Sequence, residues 1–541
     1  MSIQDVVYKL KVTRIDKSPG LDGIHPFILH NYADIVAIPL TIIYNHSLRS
    51  SQLPTIWKDA IITPIFKKGN KQLPENYRPI SLTSIVCKIL EQFISDKIDK
   101  NLIEINHYSK EQHGFTKNRS TVSNLITALN IWTEAISHGL PVDILYLDYE
   151  KAFDKVPHLR LLNQCESFGI TGSLLMWIKN FLQNRTQKVA VNKSYSKTSR
   201  VKSGVPQGSV LGPLLFVIFV ADVPELVKNF VDLFADDTKL YSYLPENSGA
   251  KTISVHNSIT LQQDLSNLKQ WSDKMLMSFN MPKCHVLHLG NNNTNINYYL
   301  PIETNNKNGT HGISYVLSFH ELEKTNLETD LGVAVDSELK FSTHIHNKIK
   351  KANSNLALIK QNFKFITKKS FSLLYKSLVR PHLEYASVVW SPSIKKDKDA
   401  LERVQRRATK IIAPISNLSY EERLQYLQLP TLEYRRLRAD LLLIYKITYG
   451  LIDAKFETSC CICGNKQMLQ PSLSQDTRGH KHKYQIHHHP GIRNSFITAR
   501  ALAIWNNLSI KTIESNNINQ FKNNLNSDKK MTSKYEYNFS Y

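Results

Sequence analysis

The apolar positions along the chain follow two different periods, and their alternation predicts strands interleaved with helices. Residues 1–30 read as a short helix, a turn at Lys17-Ser18-Pro19-Gly20 and a second helix opening near Pro26; proline fixes the turn backbone and glycine frees it. An Ile-rich run over 57–66 predicts a buried strand ending at Lys67-Lys68-Gly69, and residues 83–104 and 120–137 carry helical spacing. Next come a short strand over 143–149 that ends in acid, a helix over 159–182 and an alternating strand over 187–191. A Gly/Pro-rich segment at 203–209 leads into a helical stretch at 213–228, after which two apolar strands meet at a tight turn within 231–237. The Asn-rich stretch 291–309 is expected to be a loop or insertion. Ile345, Ile349, Ala352, Leu356, Ile359 and Phe363 then fall at spacings of four and three, the stripe of an amphipathic helix with its lysines on the other face. Helical patterns continue to about residue 450, and the Asn-, Lys- and Ser-rich tail after 510 is expected to fray. This order of elements suggests an α+β fold rather than a regular parallel wind.

Length and charge narrow the function. A chain of 541 residues exceeds one compact core and predicts two or three packed units. Its 68 Lys+Arg against 46 Asp+Glu give a formal charge of +22, which favours a polyanionic partner because each neutralised phosphate releases condensed counterions. The basic residues cluster: positions 341–380 hold nine Lys/Arg and no Asp or Glu. Six cysteines at irregular spacing do not read as a disulfide framework, and no long uncharged apolar run or apolar leader is present. An intracellular protein of the nucleus or cytoplasm, with no membrane partner, is the expectation.

Transfer of a nucleotide to a 3′-hydroxyl needs two divalent ions, and hard Mg²⁺ needs clustered oxygen ligands. Asp236-Asp237 at the turn of an apolar hairpin, with Asp148 at the end of another apolar strand, can supply them. Alone, an Asp-Asp pair is usually a solvated turn; here it has company.

Tyr146-Leu147-Asp148-Tyr149-Glu150-Lys151-Ala152-Phe153-Asp154 resembles polymerase motif A of non-LTR (LINE-like, jockey-type) retrotransposon reverse transcriptases. Ser203-Gly204-Val205-Pro206-Gln207-Gly208-Ser209-Val210-Leu211-Gly212-Pro213 resembles their motif B, and Phe234-Ala235-Asp236-Asp237 their motif C, in matching order and spacing. Glu75-Asn76-Tyr77-Arg78-Pro79-Ile80-Ser81-Leu82 and Gln112-His113-Gly114-Phe115 are similar to fingers motifs of the family. Asn280-Met281-Pro282-Lys283-Cys284 and Leu331-Gly332-Val333 are similar to its motifs D and E, and segments within 375–390, 404–410 and 493–508 to jockey-type elements.

The resemblance implies a right-hand polymerase: fingers and palm over 1–336, an α-helical thumb over 337–450 and a basic C-terminal region over 451–541. It implies RNA-templated extension of a DNA primer or target 3′ end by deoxynucleoside triphosphates with two Mg²⁺ ions held by Asp148, Asp236 and Asp237. Phe153 would exclude a ribose 2′-hydroxyl. Gly204 and Gly208 would let the backbone approach nucleotide and template, and Gln207 would bond near the template base. Lys67 or Lys68, with Arg78, would grip the triphosphate, and Lys283 would protonate departing pyrophosphate. Lys348, Lys350 and Lys351 are expected on the primer–template backbone. Ala221 before Asp222 departs from the family's usual Asn, with a modest packing effect expected. Cys460 and Cys463 with His480, His482 and His487 to His489 contain donors for zinc at irregular spacing, and Arg406-Arg407 reads as a phosphate or solvent contact before a localisation signal. Because the polymerase-like pattern starts within about ten residues of Met1, an N-terminal endonuclease is expected to be missing. A decayed or domesticated copy that only binds RNA is the rival reading, and an intron-type maturase the rival enzyme.

Overall fold

The computed structural model describes residues 1–104, 109–192, 194–243, 250–306, 314–452, 457–460, 464–467, 469–472, 479–487, 491–528 and 531. In chain order, helices α1 (Ile3–Lys11), α2 (Pro26–Asn31) and α3 (Ala33–Ser50) precede strands β1 (Asp59–Phe66) and β2 (Tyr77–Leu82). Then follow α4 (Ile85–Glu104), α5 (Thr121–Ser137), β3 (Val142–Leu147), α6 (Ala152–Lys155), α7 (His158–Ser167), α8 (Gly172–Leu182), β4 (Thr186–Val191), β5 (Ser194–Tyr195), β6 (Ser199–Arg200) and α9 (Leu211–Phe219). The hairpin β7 (Phe230–Phe234) and β8 (Asp237–Tyr243) is followed by α10 (Ala250–Lys274), β9 (His285–Leu289), β10 (Tyr299–Asn306), β11 (Ser314–Glu321), β12 (Glu323–Thr325), β13 (Leu327–Asp330) and β14 (Val333–Asp336). Beyond these come helices α11 (Ser342–Asn362), α12 (Lys368–Leu374), α13 (Arg380–Glu384), α14 (Ser387–Trp390), α15 (Lys395–Thr409), α16 (Tyr420–Leu427) and α17 (Leu432–Thr448), the antiparallel pair β15 (Glu457–Cys460) and β16 (Gly464–Gln467), and helices α18 (Ile497–Trp505), α19 (Ile510–Ile513) and α20 (Ile518–Ser527).

The central sheet runs β12-β9-β3-β8-β7. Successive strand side chains point to opposite faces, and here both faces are covered. On β3, Leu145 and Leu147 enter a core with α4 and α9, while Val142, Ile144 and Tyr146 enter a second core with α5 and the helices beyond 342. That is why the strand reads as an unbroken apolar run. A second sheet, β2-β1-β4, pairs β1 antiparallel with β2 and parallel with β4.

Several expectations need correction. The run at 57–66 is only half buried: Ala60 and Ile62 are inside, but Ile65 and Phe66 are exposed. The helix at 159–182 is two helices, broken where Gly169 takes a left-handed φ of 75°. Pro224 lies in a 3₁₀ turn and cannot continue a helix, so α9 is shorter than the 213–228 stretch. Part of 291–309 is strand, anchored by wholly buried Tyr298 and Leu300, and the Tyr298 hydroxyl donates to Asp143 at 2.5 Å. Phe363 lies beyond the end of α11 and is exposed rather than part of its buried stripe. The described part of the stretch after 510, residues 510–528, is folded rather than frayed: Phe521 of α20 is fully buried and stacks on Tyr445 of α17 with 4.1 Å between ring centroids. One aromatic and two aliphatics, Phe521 with Ile513 and Leu525, suffice among many polar residues to seat it, at about 2 kcal/mol for each buried side chain.

Candidate active site

Backbone pairing gathers the acidic residues. Phe234 pairs with Asp237, leaving Ala235-Asp236 as a two-residue turn in which Ala235 takes a φ of 57°. A positive φ at the first turn position suits the twist of a hairpin but normally selects glycine, so Ala235 is strained. Leu147 pairs with Thr238, so the register continued by one residue sets Asp148 alongside Asp237. The segment after α10 locks against the same edge: Asn280 donates its N–H to the Asp148 carbonyl at 2.8 Å, and Glu150 its N–H to Ser278. A 3₁₀ turn, Met281–Lys283, then delivers the Lys283 ammonium to the Asp148 carboxylate at 2.5 Å.

The electrostatics follow from crowding. Protein around Asp237 displaces water although solvent still reaches the residue, and Asp236 and Asp148 repel it further, pushing its carboxyl up to about 7. Desolvation raises Asp236 as well, with Asp148 adding to the effect and Arg78 and Lys67 opposing it. Lys67 is lowered by desolvation and then by Arg78 and Lys283. It leaves β1 with its N–H on the Asn76 carbonyl at 2.8 Å, beside Arg78 of β2, which pairs with Ile65. Asp148, Asp236, Asp237, Lys283, Lys67 and Arg78 thus share one electrostatic neighbourhood. Lys68 enters it only as a neighbour of Lys67.

The 203–209 loop is wedged between two other segments. Gly204 donates to the Val156 carbonyl and Ser203 to the Asp154 carbonyl, while Ser81 of β2 donates to the Gln207 carbonyl. A Cβ at Gly204 would lie 2.6 Å from the Asp154 oxygen and one at Gly208 2.5 Å from the Ser81 oxygen, so the close approach these glycines permit is to protein backbone. The Gln207 amide is likewise engaged within the protein, donating to the Asp154 carboxylate at 2.9 Å. Phe153 is partly buried, stacked on Phe216 at 4.4 Å and edge-on to Phe115, which fixes its ring. Asp222 accepts the Trp271 indole N–H at 3.1 Å, a packing contact.

Other predicted residues stand apart. Lys350 and Lys351 are exposed on α11, and Lys348 is partly buried and lowered by desolvation. Cys461, Cys463, His488 and His489 lie outside the described residues. His480 is buried, with Nε2 on the Trp505 carbonyl. Among the described residues no group of three or more His, Cys, Asp or Glu is closed into a coordination shell. In the acidic cluster the Asp148 carboxylate is paired with the Lys283 ammonium.

Three supporting contacts are not legible in the motifs. Gln112 Oε1 accepts the N–H groups of Ala235 and Gly114, at 2.9 and 2.8 Å, and so holds the strained turn. Glu91, wholly buried, accepts from Val210 and Leu211 at the start of α9 and anchors the end of the 203–209 loop. Lys239 of β8 is buried under the hairpin against Asp330 at 2.9 Å and Asn124 at 2.6 Å. Apart from Gly114, their partners lie 91 to 123 residues away, beyond any local signal.

Residues 65–326 match the family described as Reverse transcriptase (RNA-dependent DNA polymerase). The chain is 27% identical over 434 residues to the probable RNA-directed DNA polymerase from transposon BS of Drosophila melanogaster, covering 76% of this chain and 44% of that protein. It is 28% identical over 420 residues to the RNA-directed DNA polymerase from mobile element jockey of Drosophila funebris, covering 76% and 43%. A shorter match, 25% over 200 residues, covers 37% of this chain and 27% of the Pol polyprotein of retrotransposable element R2 from Popillia japonica. The chain therefore spans less than half the length of the jockey and BS proteins. Residues 65–326 thus carry a match to reverse transcriptases, and the chain is similar to the RNA-directed DNA polymerases of non-LTR retrotransposons.

Proposed function

We propose that the chain is an RNA-directed DNA polymerase that extends a DNA 3′ end on an RNA template with deoxynucleoside triphosphates. The observation that carries this reading is the convergence of Asp148, Asp236 and Asp237 at adjacent strand ends, flanked by Lys67, Arg78 and Lys283. The carboxylates are hard oxygen donors, and their mutual repulsion is what bound cations relieve. They would hold two Mg²⁺ ions, whose chemistry when bound is activation of the attacking hydroxyl and stabilisation of the leaving pyrophosphate.

The chain's own residues do the rest. Lys67 and Arg78 draw the triphosphate toward the acidic cluster, Arg78 through its planar fork, with Lys68 adding charge beside them. Lys283, held at the cluster by its pair with Asp148, would donate a proton from its ammonium to departing pyrophosphate. Phe153, locked between Phe216 and Phe115, presents a fixed edge to the sugar. Gly204, Gln207 and Gly208 act on the template by setting the shape of their loop. Fingers and palm occupy 1–336 and a helical thumb 337–450. Residues 451–541 form the C-terminal region, whose buried apolar residues, such as Ile497, Trp505 and Phe521, share a core with the thumb helices. Lys348, Lys350 and Lys351 hold the duplex by its phosphates.

The test is primer extension on an RNA template by the purified chain, with Mg²⁺ and with chelator. Metal-dependent DNA synthesis is expected. RNA binding without synthesis in Mg²⁺ would instead favour a binding-only copy.

A further inference from the structure

The turn between α11 and α12 has an unusual surface. Phe365 is 93% exposed, more than any other large apolar side chain among the described residues. Its neighbour Ile366 packs on the helical core, anchoring the turn beneath it. Both flanks are fixed. The Phe363 N–H closes α11 on the Ile359 carbonyl at 3.1 Å, and Thr367 caps α12 by accepting the Ser370 N–H while donating its own to Ser370 Oγ. A ring held outward on a fixed turn loses little entropy when it finds a partner.

The surrounding charge restricts what that partner is. Lys364, Lys368 and Lys369 are exposed around the ring, and the stretch 341–380 contains no acid. Lys368 lies over the Tyr426 ring at 5.0 Å, so a second aromatic borders the basic surface. An acidic partner with flat apolar faces satisfies both features. A duplex offers phosphates but keeps its base faces stacked on one another, whereas a single strand offers both.

We infer that the turn at 363–369 binds single-stranded nucleic acid, with Phe365 stacked on a base and Lys364 and Lys369 on the adjacent phosphates. The inference rests on the polymerase reading, because it supposes that the chain handles a template. The helix α11 carries the turn about 30 Å from its N-terminal end, where His344 accepts the Ala334 N–H of β14.

The test uses the full chain with two labelled probes, a single-stranded oligouridylate and a blunt RNA–DNA hybrid, with anisotropy read across a salt series. Phe365→Ala should weaken the single-strand probe about tenfold, leave the hybrid within about twofold and keep the salt slope. Phe365→Trp should retain binding. Lys364→Gln with Lys369→Gln should lower the single-strand slope by about one for each lost phosphate. Unchanged single-strand binding in Phe365→Ala, or equal loss on both probes, overturns the inference while leaving the polymerase reading intact. Loss confined to phosphatidylserine vesicles would assign the turn to a membrane surface and also overturn it. A parent chain that binds neither probe defeats both readings.

Discussion

The acidic hairpin and the basic helix α11 solve opposite electrostatic problems. At the hairpin, like charges are crowded where water is scarce, and the crowding survives because buried neutral groups hold the backbone: Gln112 on the Ala235 N–H of the turn, Asn124 on the Leu233 carbonyl of β7. Along α11, like charges are spread over an exposed face, and only Lys348 is noticeably desolvated. A position held by a few non-local contacts fails abruptly when one is lost. A charge field made of many residues fails gradually.

That contrast orders the expected effects. Asp236→Ala should lower primer extension by about 10³-fold or more while RNA binding stays near the parent's, since in the proposed reading the carboxylate would serve metal and affinity would come from phosphate contacts. Retained synthesis would break the comparison at its centre. Gly114→Ala comes next. Its Cβ would fall 2.3 Å from the Ala235 nitrogen, forcing the catalytic turn to shift, and extension should drop on the order of 10²-fold with little change in RNA binding. Parent-like extension by this variant would mean that the turn is not held by its 112–114 support.

Phe153→Val should admit ribonucleotides, with discrimination falling by about tenfold or more as the steric clash is relieved. Selectivity equal to the parent's would make the ring a packing residue only. The pH dependence is comparable in size. With Asp237 pushed up to about 7 in the metal-free protein, a proton competes with Mg²⁺ below that pH, so the half-saturating Mg²⁺ concentration should rise about tenfold from pH 8 to pH 6. The sign for stability runs the other way: a carboxyl raised on folding binds its proton more tightly in the native state. Its contribution therefore favours the metal-free fold as pH falls from above 7 toward 4. A flat Mg²⁺ requirement across that range would count against the crowding. Smallest is the effect of Lys348→Gln, Lys350→Gln and Lys351→Gln together. Binding should weaken alike on all sequences, and the salt slope should fall by about one for each lost phosphate contact.

How much could be read from the chain follows the same divide. The acidic cluster was legible because strand pattern and chemistry occupy the same few residues: an apolar run stops at Asp148, and another turns at Asp236-Asp237. Lys283 was legible as a motif residue, though not that it would reach Asp148. Gln112 and Glu91 were not assigned, because what they do is defined by backbone groups more than a hundred residues away. The roles expected of Gly204, Gly208 and Gln207 pointed outward to ligand, whereas their contacts are with Asp154 and Ser81. Composition misled at the C-terminus, where the polar majority in 510–528 hid Phe521 and Leu525.

The guanidinium of Arg493 is buried against α5, donating to the Asn130 carbonyl at 2.9 Å and to the Thr133 hydroxyl at 2.8 Å, across 363 and 360 residues of sequence. On a ribosome adding about 5–20 residues per second, α5 emerges roughly 20–70 s before that arginine is made. During synthesis the helix must wait with those acceptors facing water or a chaperone, and this part of the interior around α5 is sealed only once residue 493 has been made. Premature termination anywhere upstream of codon 493 would therefore leave a defect in the N-terminal half as well as a missing C-terminus.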